Sequence, residues 1–213
     1  MEEQMRILAL AVFISAALSA QNTSTQLRPI GHFKFPLGKG FYAVTWTTGN
    51  AMANKPDNIN LFSGVGYGTR SWWLETMIQK QWNRAGGRTF LDFRFYSTLP
   101  AKMDVYLETA PVINGRGLYE TWTLQRKVGR GFWAGLESEN FHQPGRDVLA
   151  AGLRASYVPP AFKSKSYQPV IGVAWYPFHR HRVGEGQGVP MGPTVRIYSI
   201  LHWKVFGRRR LFR

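Results

Sequence analysis

The stretch FHRHR at 178–182 places two imidazoles and two guanidinium groups within five residues. His179 and His181 could bind zinc, but no carboxylate stands nearby to complete a ligand set, so we predict no metal site. Arg180 and Arg182 make the segment strongly basic. We expect these four residues to lie in a loop that binds phosphates or acidic glycans.

Hydrolytic chemistry would need a nucleophile beside a histidine. Ser199 and His202 are three residues apart, so on a β-strand their side chains point to opposite faces. His142 with Ser138 or Asp147 is a possible pair, although nothing in the spacing singles it out. We therefore expect no enzymatic activity, no catalytic residue and no cofactor, and we keep a lipid-modifying enzyme as an alternative.

Charges and apolar side chains alternate through LDFRFYSTLPAKMDVYLETAP at 91–111. A period of two is the mark of a β-strand, so this stretch predicts a hairpin with one apolar and one charged face. A three-residue turn at 98–100 would set Arg94 opposite Asp104. A two-residue turn at Thr69-Arg70 would likewise pair Gly66 with Trp73 in the preceding hairpin.

The charged faces also carry Gly and Ala, whereas Trp and Tyr recur near the ends of the apolar faces. Small residues suit the concave side of a closed sheet, and aromatic residues near strand ends are typical of membrane barrels. We therefore predict that the charges line a narrow lumen and largely fill it with ion pairs. The predicted network is Glu75, Asp92, Arg94, Lys102, Asp104, Glu108, Glu137, Glu139, Arg154, Arg196 and Lys204.

Period-two segments recur from residue 41 to the end of the chain, with no convincing helix among them. They predict ten strands, or eight if two of them merge with their neighbours: 41–48, 59–68, 71–82, 88–97, 101–110, 117–127, 130–140, 147–157, 168–177 and 194–206. Closure would remove exposed sheet edges, and longer and shorter connections alternate, as they do in transmembrane barrels. The predicted fold is an all-β, antiparallel, up-and-down transmembrane β-barrel of 8 to 10 strands.

The remaining segments flank this barrel of residues 41–206. An apolar run ending in small residues predicts a signal peptide at 1–20, and 21–40 is predicted as a lead-in broken by prolines and glycines. The tail 207–213 carries Arg208, Arg209, Arg210 and Arg213. We expect it to meet phospholipid head groups or an acidic partner protein.

The formal net charge of +15 favours anionic partners, while export argues against nucleic acid. With no Cys in the chain, neither a disulfide framework nor a thiolate metal site is available.

Through its signal segment, its loop pattern and strands such as LDFRFYSTL and TVRIYSILHWKVF, the chain resembles the small bacterial outer-membrane β-barrel proteins. The resemblance implies residence in the outer membrane and contact with its lipids, including lipopolysaccharide. Together with a filled lumen, this resemblance favours the role of a structural or accessory subunit. A larger membrane protein complex is one possible partner of such a subunit. A periplasmic lipocalin-like lipid carrier is the other alternative.

Overall fold

The computed structural model describes residues 22–52, 55–83, 86–160, 166–183, 189–190 and 194–206. These residues form strands joined by short connections, one of which contains a 3-10 turn at Pro100–Lys102. The strands are β1 (Asn22–Gly38), β2 (Phe41–Met52), β3 (Lys55–Gly68), β4 (Trp72–Asn83), β5 (Gly86–Leu99), β6 (Met103–Pro111), β7 (Leu118–Lys127), β8 (Phe132–Gln143), β9 (Arg146–Tyr157), β10 (Tyr167–Val183), β11 (Val189–Pro190) and β12 (Thr194–Phe206).

The sheet closes on itself as a barrel of eleven strands, so the prediction of 8 to 10 strands is wrong. Each strand from β1 to β9 pairs with the strand that follows it in the chain. Strand β10 then pairs with β12, and β12 pairs with β1 to close the ring. The two-residue β11 only extends the edge of β10. With an odd number of alternating strands, the first and last run in the same direction, and β1 and β12 accordingly pair in parallel. The barrel is therefore not antiparallel throughout.

The additional strand is β1, which occupies most of the segment predicted as a lead-in. Its pairing with β12 extends over thirteen registered positions, from Asn22 to Lys34. In the sequence, Pro29 indicates a break in a strand, because proline has no backbone N–H to donate to the hydrogen-bond ladder. Gly49 on β2 leaves room for it, since a Cβ at Gly49 would lie 3.1 Å from the Pro29 ring. Pro36 coincides with a register irregularity between Pro36 and Gly38.

Because the strand count is odd, β1 begins at one end of the barrel and β12 finishes at the other. We call these the N-terminal end and the C-terminal end. The predicted contrast between long and short connections largely disappears, since most of the long loop expected at 49–58 belongs to β2 and β3. The predicted signal peptide and the tail 207–213 lie outside the described residues. Among those residues, no helix has the length and apolar character needed to cross a bilayer.

Strand register differs from the predictions by even numbers of residues. Gly68, rather than Gly66, lies opposite Trp73, and Arg94 lies opposite Glu108 rather than Asp104. Even shifts keep every side chain on its predicted face, whereas a shift of one would reverse them all. The register of the hairpin of β5 and β6 differs from the prediction because β5 continues to Leu99 and the turn consists of Pro100–Lys102.

Burial alternates along the strands and separates an inner from an outer face. On β4, Glu75, Met77 and Gln79 are buried, while Leu74 and Ile78 are exposed. Large apolar side chains are exposed on the outside of the other strands too, from Leu27 on β1 to Val205 on β12. The barrel is thus apolar outside, and the carboxyl groups of Glu75 and Asp92 are among its most deeply buried groups.

Candidate functional site: the charged interior

Glu75 on β4 is the centre of a first interior cluster. Its side chain is fully buried, at 0% exposure, and Lys34 on β1 approaches it with Nζ 2.7 Å from Oε1. The Tyr42 hydroxyl donates to Oε1 at 3.0 Å, and the Trp46 indole N–H donates to Oε2 at 3.0 Å. Both carboxylate oxygens therefore have donors, which offsets the loss of water around a buried charge.

Aromatic rings surround the cation of this pair. Lys34 Nζ lies 4.2 Å from the centre of the Tyr42 ring and 4.7 Å from that of Trp73. The His32 ring stacks on Trp46 with the centroids 3.6 Å apart, and His32 Nε2 lies 4.0 Å from Glu75 Oε1. A desolvated cation gains from facing aromatic rings, so the rings stabilise Lys34 where water is excluded.

Arg94 on β5 is the centre of a second cluster. Its guanidinium binds Asp92 with both Nε, at 2.8 Å, and Nη2, at 3.3 Å, and reaches Glu108 Oε1 on β6 at 3.3 Å. The Tyr106 hydroxyl donates to the second oxygen of Glu108. The guanidinium also lies over the Phe62 ring, 4.2 Å from its centre. The planar group is thus held at its edge by carboxylates and on its face by a ring.

Glu137 and Glu139 on β8 organise the opposite wall. Arg154 donates to Glu137 at 3.0 Å, and the Tyr176 hydroxyl donates to the same carboxylate. Glu139 accepts hydrogen bonds from Arg196 on β12 and, at 3.2 Å, from the hydroxyl of Tyr119.

Arg28 on β1 adds a longer contact to Glu139, with Nη2 3.5 Å from Oε1, although β12, β10 and β9 lie between their strands in the sheet. The Glu75 pair similarly joins β1 to β4 across β2 and β3. These bonds connect walls that the backbone ladder does not join directly. The arrangement can brace the barrel from within and place alternating charges along its interior.

Glycines make room for two interior tyrosine rings. A Cβ at Gly66 would lie 2.4 Å from ring atoms of Tyr42, and one at Gly172 would lie 2.1 Å from Tyr198 Cζ. Both glycines are buried on the inner face, and both are registered directly opposite the tyrosine concerned. The small residues of the charged faces therefore accommodate aromatic partners of the carboxylates and arginines.

The structure places the predicted network residues unequally. Glu75, Asp92, Arg94, Glu108, Glu137, Glu139, Arg154 and Arg196 join the three clusters just described. Asp104 is half-buried near the start of β6. Lys102 lies in the exposed turn between β5 and β6 instead of on an inner face. The backbone of Lys204 lies opposite His32, while its side chain falls outside the described part.

Sequence reasoning missed Arg28, His32 and Lys34, because β1 was predicted as a lead-in. The sequence does contain a strand-like period of two here. In LRPIGHFKF at 27–35, the residues Arg28, Ile30, His32 and Lys34 are each two positions apart. The tyrosine partners were not part of the predicted network, because that prediction included only Asp, Glu, Lys and Arg side chains.

FHRHR lies on strand β10, so the prediction of a loop is wrong for this segment, while anion binding by these residues stays a prediction. A register irregularity between Trp175 and Phe178 changes the phase of the strand, which leaves Phe178 strongly exposed. His179 Nδ1 comes within 2.7 Å of the Thr194 hydroxyl oxygen, and Arg180 is exposed. The side chains of His181 and Arg182, like the basic tail, lie outside the described part of the chain.

His142 stands between two carboxylates near the N-terminal end of the barrel. Its Nε2 lies 3.5 Å from Glu120 Oε2, and its Nδ1 lies 3.6 Å from Asp147 Oδ1. Ser138 bonds to Asn140 instead of His142. Ser199 and His202 fall on opposite faces by their register. Among the described residues, no three His, Cys, Asp or Glu side chains are grouped as metal ligands.

Comparison with protein families, with curated proteins and with solved structures found no match to this chain. The class that the structure itself defines is an all-β closed barrel of eleven strands with a parallel closing pair.

Proposed function

We propose that this chain is an exported outer-membrane β-barrel protein that acts as a structural or accessory subunit. The observation that supports it is the inversion of polarity: Leu61, Ile78 and Leu136 are exposed on the outside, while Glu75 and Asp92 are buried inside. In water this would leave a large apolar exterior uncovered. In a bilayer the same exterior faces hydrocarbon, and the closed ladder satisfies the backbone.

The interior favours a bracing role over transport of an apolar ligand. A lipocalin-like carrier would need an apolar cavity, whereas here Lys34, Arg94 and Arg154 are inside and bonded to carboxylates. Tyr and Trp rings occupy positions beside these pairs. The partners that fit this proposal are outer-membrane lipids, lipopolysaccharide included, and a larger membrane complex.

Fractionation of cells expressing the full chain tests the proposal. We expect the protein in the outer membrane after a carbonate or urea wash. We also expect it to change its mobility on a detergent gel when boiled. Release as a soluble, monodisperse protein with bound lipid would refute the proposal and favour the carrier.

A matched pair of variants makes the test specific to the outer face. Ile78→Arg places a charge halfway along β4, whereas Val128→Arg places one in the turn after β7, and both parent side chains are exposed. An arginine facing lipid at the bilayer midplane costs roughly 2–4 kcal/mol. We expect Ile78→Arg to reduce the membrane-inserted, heat-modifiable form and Val128→Arg to leave it unchanged. Equal behaviour would contradict a lipid-facing β4.

The group of His142 with Glu120 and Asp147 is the observation that supports the alternative of a lipid-modifying enzyme. One carboxylate could orient the imidazole for general-base catalysis, provided that the other ring nitrogen turns away from its carboxylate and is free to accept a proton. Detergent-purified protein incubated with lipid A or phospholipid should then hydrolyse or acylate it, and His142→Ala should abolish the activity. Turnover that survives His142→Ala would point to a contaminant or to another site.

A further inference from the structure

The outer face carries paired aromatic side chains at the C-terminal end of the barrel. Phe41 packs on Tyr67 with the ring centroids 4.7 Å apart, and Trp72 continues this group, 5.6 Å from Tyr67. Two further pairs are Phe132 with Tyr157, at 4.5 Å, and Tyr167 with Trp203, at 5.3 Å. All seven lie within four residues of the strand ends at this end of the barrel. We call them the aromatic belt.

Cations lie in the turns just beyond this belt. The turn after β1 contains Lys39, the one after β3 Arg70, the one after β5 Lys102 and the one after β7 Arg130, and all four are exposed. We call these four residues the basic collar. None of these four turns contains Asp or Glu.

Two of the four collar residues occupy backbone conformations that disfavour a lysine. Lys39 has φ 49° and Lys102 has φ 59°, in the left-handed region where Gly or Asn is preferred. These two lysines and Ala101 are the non-glycine residues with positive φ in the described part of the chain. Residues held in such backbone conformations cluster at functional sites.

The N-terminal end has a mixed charge. Arg116 and Arg180 are exposed there, but the carboxylates of Glu120 and Asp147 lie on the same outer rim beside His142. Trp82 and Phe178 are exposed near that end and, within the described part of the chain, form no ring pair like those of the belt. The two ends therefore differ in both aromatic content and charge.

We propose that the basic collar binds the phosphate groups of anionic phospholipids in the leaflet that surrounds the C-terminal end. This inference rests on the membrane location proposed above. Aromatic side chains prefer the level where hydrocarbon meets head groups, and cations directly beyond them reach the phosphates. The belt and the collar stand in that order along the barrel, so one leaflet can satisfy both.

The test uses the full chain in mixed micelles that contain equal amounts of phosphatidylglycerol and phosphatidylcholine, with retained lipid identified by native mass spectrometry. One variant, R70Q/K102Q/R130Q, removes three collar charges. The control, K80Q/R116Q/R180Q, removes the same residue types from exposed positions near the other end. Each cation near an anionic surface is worth roughly fivefold in binding. We expect the collar variant to lose roughly fivefold or more of the phosphatidylglycerol enrichment, and the control to keep it.

Three results would overturn the proposal: no enrichment by the parent protein, equal loss in both variants, or, when lipopolysaccharide is added to the same micelles, preferential retention of lipopolysaccharide that the collar variant loses. The carbonate wash separates this failure from that of the proposed function. A protein retained in the membrane without phospholipid preference refutes only the collar. A protein released by the wash refutes both.

Discussion

Lys34 and Glu75 form an ion pair inside the barrel, with Nζ 2.7 Å from Oε1 and both side chains buried. Lys34 is on β1, the strand that closes the barrel by parallel pairing, and Glu75 is on β4. The pair ties the closing strand to β4, which is three strands away around the sheet. Since parallel pairing is slightly less stable per residue than antiparallel pairing, a second attachment of β1 matters for closure.

Loss of the cation from this pair should be strongly destabilising. Lys34→Met leaves Glu75 buried without its cation, which costs about 3–5 kcal/mol. Urea unfolding of the detergent-solubilised protein, followed by tryptophan fluorescence and by gel mobility, measures the change. K34M/E75M should lose less than Lys34→Met, because neither charge is left alone. Lys80→Met, at an exposed position on β4, is the control and should have little effect.

Gly172 is expected to be irreplaceable while Tyr198 is present. In Gly172→Ala the new Cβ would meet the tyrosine ring at 2.1 Å, and such overpacking costs about 1–3 kcal/mol. Gly115→Ala should change stability by less than about 0.5 kcal/mol, because its nearest neighbour is at 3.5 Å. Thermal unfolding of both variants gives the comparison. Additivity of Gly172→Ala with Tyr198→Ala would argue against the steric explanation.

The turn between β5 and β6 should be improved by glycine. Ala101 has φ 60° and ψ 25°, a left-handed conformation that is unfavourable for residues with a Cβ. We expect Ala101→Gly to raise the free energy of unfolding by about 0.5–1 kcal/mol. The same substitution at Ala134, inside β8, should lower it by a similar amount, because glycine weakens a strand. Urea unfolding of both variants will show whether the signs are opposite.

Glu139 should control ion passage through the interior. Its carboxylate binds Arg196 and Arg28, so Glu139→Ala leaves two arginines facing each other without an anion. We expect the parent protein to conduct weakly in planar bilayers and Glu139→Ala to conduct more, with a preference for anions in the reversal potential. Glu120→Ala, on the outer rim, is the control. Unchanged conductance in Glu139→Ala would mean that this bridge does not obstruct the path.

Much of the interior followed from alternation alone. Arg94, Arg154 and Arg196 alternate with apolar residues on their strands, and a period of two fixes which side chains share a face. Register did not follow, because a shift of four residues leaves Arg94 on the same face while exchanging Asp104 for Glu108 opposite it. The turn at Pro100–Lys102 decides that choice, and its left-handed residues are not ones that sequence rules favour.

By itself the sequence determined an all-β chain with one charged and one apolar face, since that information is local and periodic. The tertiary structure decided the closure. Whether Asn22–Gly38 is a strand depends on partners at both edges, β2 along the chain and β12 at its far end, which no local pattern reveals. That strand makes the count odd, forces the parallel seam and brings Arg28, His32 and Lys34 to the carboxylates. The ion pairs that hold the interior together therefore exist only once the barrel has closed.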